Sequence, residues 1–504
     1  MHRRSRIRLL GAAVVIASAT GFATGSVHTA AATPQAATGP EAHFVVLGSQ
    51  GHHSASRIER AVRDSGGAVV KSWPQIGVVV ASSTNAEFAK VVRTKRGVQG
   101  AGATQNLAEL AAPPTARAAD AARADERAIE NTEAVVGSDK STSADDPLEV
   151  NQWNMKAIKA DQANDVNGGD RNLVVGVLDS GIEATHPDLQ ANIDAARSVG
   201  CTDRGVPDTS PAAWAPTTSD HGTHVAGTIA AAKNGVGIVG VAPNVKLASV
   251  KVVNDDGYIW PEYAICGFIW AAENGIKVTN NSYFVDPWYL WCKDDADQRA
   301  VATAVTRAID YSARRGVVNV AALGNSNWDL SHDIVDSGSP NNGTPITRET
   351  GNECVKLPSE VNGVVGVSSV GVKNEKSFYS NYGRTETEVT APGGDSMQIP
   401  STPHANGRVL STVVNGAWGY KQGTSMAAPH AAGVVALIRS AHPEWSAQRS
   451  IVELQRDATR LPCPEGGISD PGGTGAYKAV CEGGQTGRGF YGAGLINALA
   501  AVQG

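Results

Sequence analysis

The sequence predicts an α/β fold in which a parallel sheet is flanked by helices, preceded by a small α+β unit. Three observations predict it. Residues 173–178 (LVVGVL) are apolar almost without interruption, the signature of a parallel strand buried on both faces, and they end at Asp179. Two stretches rich in small residues, HGTHVAGTIAA from His221 and AAPHAAGVVALI after Met426, read as helices that pack closely. Residues 42–107 alternate strand, helix, strand, strand and helix within a separate short segment.

The elements follow in chain order. Arg3, Arg4, Arg6 and Arg8 precede an apolar run from Leu9 to about Ala23, so residues 1–32 read as a secretory signal peptide. In 42–107, HFVVLGSQ, AVVKSW and GVVVASS are strands, and SRIERAVRDSGG and NAEFAKVVRTKRG are helices. Ile58, Ala61 and Val62 form one apolar helical face and Phe88, Val91 and Val92 another, while Thr84 and Glu87 fit a capping box. Residues 108–147, rich in Ala, Asp, Glu and Ser, read as a linker with a transient helix near 116–129 and a processing site. Residues 148–504 form the main domain.

Composition narrows the function. A net charge of −6 argues against a dominant partnership with nucleic acid, and no later run of about eighteen apolar residues suggests a membrane anchor. All six cysteines lie after residue 200 in a chain that reads as exported, which favours three disulfides. Cys463 and Cys481 flank a glycine-rich loop and read as a local pair.

The chemistry concentrates at three places. Ser425 stands between a glycine-bearing turn and a helix, His221 opens a helix, and Asp179 closes a strand. A serine hydroxyl attacks well only when an imidazole takes its proton, and a carboxylate fixes that imidazole's tautomer. Each residue also has a plainer reading: Ser425 as a helix N-cap, Asp179 as a loop cap, and His221 as a helix-face side chain. His221 and His224, three apart beside Asp220, lack the spacing and glutamate of a zinc peptidase. His224 and His430 read as packing residues.

Together DSGIEATHPDL (179–189), HGTHVAG (221–227), GVAPNVKL (240–247), AALGNSN (321–327) and GTSMAAPHAAGVVAL (423–437) resemble the subtilisin-like serine peptidases. The resemblance implies a subtilisin-like sheet and the catalytic set Asp179, His221, Ser425 and Asn325, with Asn325 and the Ser425 N–H stabilising the oxyanion. It implies that residues 42–107 are a ferredoxin-like propeptide that assists folding and blocks the cleft. It also implies a structural calcium ion held by Gln152, Asp188, Asn234, Val236 and Ile238, no catalytic cofactor, and a cis bond before Pro358.

Ser282, Tyr283, Phe284, Gly257 and Gly324 fall at the substrate-binding positions. There the chain departs from the family pattern, because Phe284 replaces a glycine. Either the pocket is narrowed, or the backbone moves and Trp288, Tyr289 and Trp291 form a new wall with an apolar or aromatic preference. Gly257 lies where an extended substrate adds as a strand. The excursions 286–299 and 327–358 are expected to wall the cleft. The expectation is a secreted, monomeric endopeptidase acting on proteins or peptides and made as a zymogen. Its rival is a scaffold that keeps the fold but excludes substrates.

Overall fold

The computed structural model describes residues 40–105, 107, 133–135 and 146–504. The signal segment and most of the linker, including the helix expected at 116–129, lie outside the described residues.

The N-terminal unit runs β1 (Ala42–Leu47), α1 (His52–Asp64), β2 (Ala68–Trp73), β3 (Val78–Ser83), α2 (Phe88–Arg93) and β4 (Gly100–Ala103). The sheet order β2-β3-β1-β4 is the ferredoxin-like arrangement. Strand alternation divides its apolar side chains between two faces. Phe44, Val46, Val79 and Ala81 meet the helices through Ile58, Val62, Phe88 and Val92, whereas Val45, Leu47, Val78 and Val80 join the core of the main domain. The capping box does not form. Glu87 takes the N-cap position without a side-chain bond, because Asn85 Oδ1 accepts the Glu87 N–H at 3.0 Å and so makes the turn itself.

The main domain is built on seven parallel strands: β6 (Val174–Asp179), β7 (Val199–Gly200), β8 (Lys246–Lys251), β9 (Val278–Asn281), β11 (Val318–Ala322), β15 (Val364–Val370) and β16 (Val389–Pro392), in the order β16-β15-β11-β9-β6-β8-β7. The strands read as buried apolar runs because helices cover both faces. On one face lie α3 (His221–Ala230) and α6 (Thr424–Ala441); on the other lie α4 (Pro261–Glu273) and α5 (Ala296–Arg314). The chain leaves β6 first toward β7 and β8 and later toward β9, so the strand order reverses beside β6. Crevices at such reversals, outside the carboxyl ends of the strands, collect functional residues.

The N-terminal sheet packs on α4 and α5. Arg307 donates to Gly48 O at 2.8 Å, Gln75 donates to Glu273 at 2.8 Å, Arg93 pairs with Asp297, and His43 Nδ1 lies 3.0 Å from the buried Glu262 carboxylate. The acids at the start of α5 serve local contacts. Asp295 caps α5 by accepting two backbone N–H groups, and Asp297 faces Arg93.

Within the segment expected as a linker, Glu133–Val135 forms β5, antiparallel to Trp418–Tyr420 of β18 (Ala417–Lys421). The two excursions are tied together: Trp291–Cys292 pairs antiparallel with Cys354–Val355, and Cys292 bonds Cys354. Cys201 bonds Cys266, Cys463 bonds Cys481 as anticipated, and no cysteine is free. The peptide before Pro358 is cis, as expected. Replacing Cys463 and Cys481 by serine should lower unfolding stability by about 2–4 kcal/mol, by releasing loop-closure entropy in the unfolded chain. Denaturant titration of the double variant checks this, and an unchanged midpoint would show that the loop is held by its other contacts.

Candidate active site

Strand β6 delivers Asp179 to the floor of a cleft, and α3 starts immediately across from it. That approach needs a glycine after His221, since a Cβ on Gly222 would lie 2.4 Å from Gly181 O and 3.1 Å from Asp179 Cβ. His221 Nδ1 then stands 2.8 Å from Asp179 Oδ1. The same oxygen accepts the Ser180 N–H at 2.7 Å, which fixes the carboxylate against its own strand end. With Nδ1 on the carboxylate, Nε2 is the nitrogen left to exchange a proton across the cleft.

Ser425 lies in the first turn of α6. The N-cap is Gly423, with no side-chain cap, so Ser425 is not the capping residue of the plainer reading. Its Oγ points at Ser282 O, 3.4 Å away, while Ser282 Oγ donates to Ser425 O at 2.8 Å. Asp179, His221, Ser282, Asn325 and Ser425 line one cleft. The Asn325 side chain is oriented by Thr424, whose backbone N–H (2.8 Å) and hydroxyl (2.9 Å) both meet Asn325 Oδ1. A backbone N–H can only donate, so that atom is the oxygen and the amide NH2 is the other end. Sequence reasoning missed Thr424 in this role.

His224 and His430 are interior residues. His224 Nε2 faces the carbonyls of Val409 and Gly419, each at 3.1 Å, and burial with the nearby Lys421 charge lowers its pKa to about 3. His430 Nδ1 donates to Met426 O at 2.7 Å, and burial lowers its pKa to about 4. A zinc reading of His221 with His224 therefore fails, since His221 Nδ1 is spent on Asp179 and His224 Nε2 on main-chain carbonyls.

The substrate-side residues are placed unevenly. Ser282, Phe284, Gly257 and Gly324 line the cleft. Tyr283 lines it too, but its ring turns inward and the hydroxyl meets Asn281 Oδ1 at 3.1 Å; burial, with Asp179 nearby, holds the phenol well above its usual pKa. Gly257 sits in a tight turn at φ +82° and its N–H is spent on Asn254 O at 2.9 Å, so it does not present an extended edge. The expected aromatic wall is mostly self-packed. Tyr289 packs at a tilt against Phe284, ring centroids 4.4 Å apart, Trp291 is buried with its N–H on Val285 O, and Trp288 lies under Arg348. The second excursion adds Lys356, and the first adds Asp286, to the cleft lining.

At the anticipated cation site the oxygens do not form a ready cage. Gln152 Oε1 accepts the Val239 N–H at 3.0 Å, and Asn234 Oδ1 accepts the Val236 N–H at 3.0 Å. Asp188 Oδ2 accepts from Ile238 N–H and from the Trp418 indole. Two buried carboxylate oxygens, Asp188 Oδ1 and Asp146 Oδ2, have no hydrogen-bond partner. Asp146 binds the same loop through the N–H groups of Asn234 and Val236, and burial, reinforced by the Asp146 charge, raises the Asp188 pKa to about 7. Two orphaned acid oxygens facing one loop suit a hard cation. Asp146, which the sequence reading did not include, meets the same loop as Asp188.

Residues 170–473 match the profile of the subtilase family. Subtilisin DY of Bacillus licheniformis is 32% identical over 351 residues, covering 70% of this chain and 98% of that protein. Fervidolysin of Fervidobacterium pennivorans is 32% identical over 301 residues, 58% of this chain and 38% of that protein. Among solved structures, the epidermin leader peptide processing serine protease of Staphylococcus aureus shares the fold, with a TM-score of 0.66 at 21% identity over 92% of this chain and 98% of that one. A protease of Pseudoalteromonas arctica gives a TM-score of 0.52 at 30% identity over 72% and 99% of the two chains. The chain belongs to the subtilase family. It is a subtilisin-like serine endopeptidase.

Proposed function

We propose that the protein is an exported zymogen whose catalytic set is Asp179, His221 and Ser425, with Asn325 as the oxyanion donor. The observation that carries this reading is the 2.8 Å contact between His221 Nδ1 and Asp179 in the cleft that Ser425 lines. Asp179 holds the tautomer with the proton on Nδ1 and steadies the cation that forms. Nε2 takes the Ser425 proton as Oγ attacks the peptide carbonyl carbon, then returns it to the leaving amine as the C–N bond breaks. Water repeats the cycle on the acyl ester. Asn325 Nδ2 and the Ser425 N–H, the latter in the first turn of α6, receive the oxyanion. Ser282 and Gly324 border the scissile residue's side chain, with Phe284 at its edge.

Residues 1–32 serve as the export signal, 42–107 as an inhibitory propeptide, 108–147 as the linker cut on maturation, and 148–504 as a monomeric catalytic domain. Three disulfides suit an oxidising destination. No helix among the described residues is long and apolar enough to cross a membrane. Calcium between Asp188 and Asp146 serves stability, with no part in the reaction.

A phosphonofluoridate should label mature wild-type protein once per chain and Ser425→Ala not at all; a folded wild type that resists labelling favours the scaffold reading. Asn325→Ala should lower kcat about a hundredfold or more, a size taken from such a donor in subtilisin itself rather than derived from this chain. Because an imidazole ordinarily titrates near 6.5 and must be neutral to accept a proton, kcat/KM should climb from acidic to alkaline pH. An optimum near pH 4 would contradict the assignment.

The propeptide contact carries its own pH dependence. Burial alone would lower the His43 pKa, but the bond to Glu262 and the charges of Glu262 and Glu41 outweigh it and raise it above 6.5. A raised pKa in the complex means that the stabilisation is complete below the free value and is lost as pH rises through the bound one. After linker cleavage the propeptide should therefore bind several-fold more weakly at pH 8.5 than at pH 5.5, measured by inhibition. His43→Leu should flatten that slope, and a slope that survives the substitution places the sensor elsewhere.

Millimolar calcium should raise the melting temperature of the mature protein, and Asp188→Asn should abolish the effect. Melting that is blind to both calcium and EDTA contradicts the site.

A further inference from the structure

The pocket beside Ser425 contains a buried cation. Lys356 is 1% exposed and lines the cleft together with Ser282, Phe284, Ala322 and Gly324. It follows Cys354 in the second excursion, whose disulfide to Cys292 pins this strand to the first. Its neighbour Leu357 accepts the Val285 N–H at 3.0 Å, so the Lys356 main chain runs alongside Phe284. The ammonium reaches the wall because residue 324 is glycine: a Cβ there would lie 2.9 Å from Lys356 Cε and 3.1 Å from Nζ. Nζ also stands 4.8 Å from the Phe284 ring centroid and 5.5 Å from that of Tyr289. The departure from the family pattern at Phe284 acquires a physical sense, since an aromatic face attracts a desolvated cation where a glycine offers nothing.

Two acids stand near the ammonium. Asp286 lines the same cleft, and its two oxygens also accept the Ile259 N–H and the Asn341 amide, each at 2.6 Å. Glu360 accepts the Lys356 main-chain N–H, and burial pushes its carboxyl up to about 7. An ammonium has three donors, so engagement with one neighbour still leaves N–H groups for a ligand.

Resting on the active-site reading above, we propose that Lys356 is the specificity-determining residue of this pocket and selects an acidic side chain, glutamate or aspartate, at the residue whose carbonyl Ser425 attacks. A carboxylate entering between Ser282 and Gly324 meets the ammonium in a site shielded from water, where a charged hydrogen bond discriminates most strongly against an isosteric amide. A basic side chain meets like charge at the ammonium.

The test uses mature enzyme and a peptide series that differs only at that residue, with Glu, Asp, Gln, Leu, Phe and Lys. Active sites are first counted by phosphonofluoridate labelling. The expected result is kcat/KM for Glu about tenfold or more above Gln, with Lys poorest. Lys356→Met should bring the Glu-to-Gln ratio of kcat/KM close to one among the active sites that labelling counts; Lys356→Arg should retain part of the Glu preference. Full labelling with a preference for Leu, Phe or Lys overturns the specificity proposal and leaves the catalytic set standing. Absence of labelling overturns the catalytic reading and the proposal with it. Should Lys356→Met fail to fold, the wild-type profile alone decides.

Discussion

The pairing of Asp179 with His221 is the constraint on which the rest of the site depends. It exists because a buried strand ends where a helix begins, and because Gly222 lets the helix come within contact of Gly181 and Asp179. Everything across the cleft is arranged relative to that fixed edge. Strand β9 brings Ser282, which bonds the Ser425 carbonyl, and β11 leads into Asn325, which Thr424 orients. Three parallel strands and two helix starts thus converge on one crevice, and no single segment holds the chemistry alone.

The N-terminal unit illustrates a second constraint. A four-stranded sheet with helices on one side leaves its other apolar face exposed, and here that face joins the core beneath α4 and α5. The polar contacts around it are selective. Arg307 satisfies a turn carbonyl of the N-terminal sheet, and the buried Glu262 faces His43.

Much of this was legible in the sequence, for reasons that are local. The apolar run before Asp179 can hardly be anything but a buried strand, and GTSMAAPH and HGTHVAG carry the small residues that close packing demands. The strands and helices of 42–107 followed from periodicity. What was not legible depends on distant segments. The Thr84–Glu87 capping pattern lost to an Asn85 turn, and β5 found a partner almost three hundred residues away in β18. Gly257 looked like a strand edge but closes a turn. Lys356 and Asp286 lie on two long excursions that the Cys292–Cys354 bond draws together, and Asp146 joined Asp188 through a loop that sequence spacing alone does not orient.

The most direct measurement is a crystal structure of the mature protein carrying a phosphonate adduct. The account predicts a phosphorus bond to Ser425 Oγ, the phosphoryl oxygen within hydrogen-bond reach of Asn325 Nδ2 and the Ser425 N–H, and His221 bridging Asp179 and the adduct. An adduct on another side chain, or an oxygen directed away from Asn325 with His221 detached from Asp179, would contradict it.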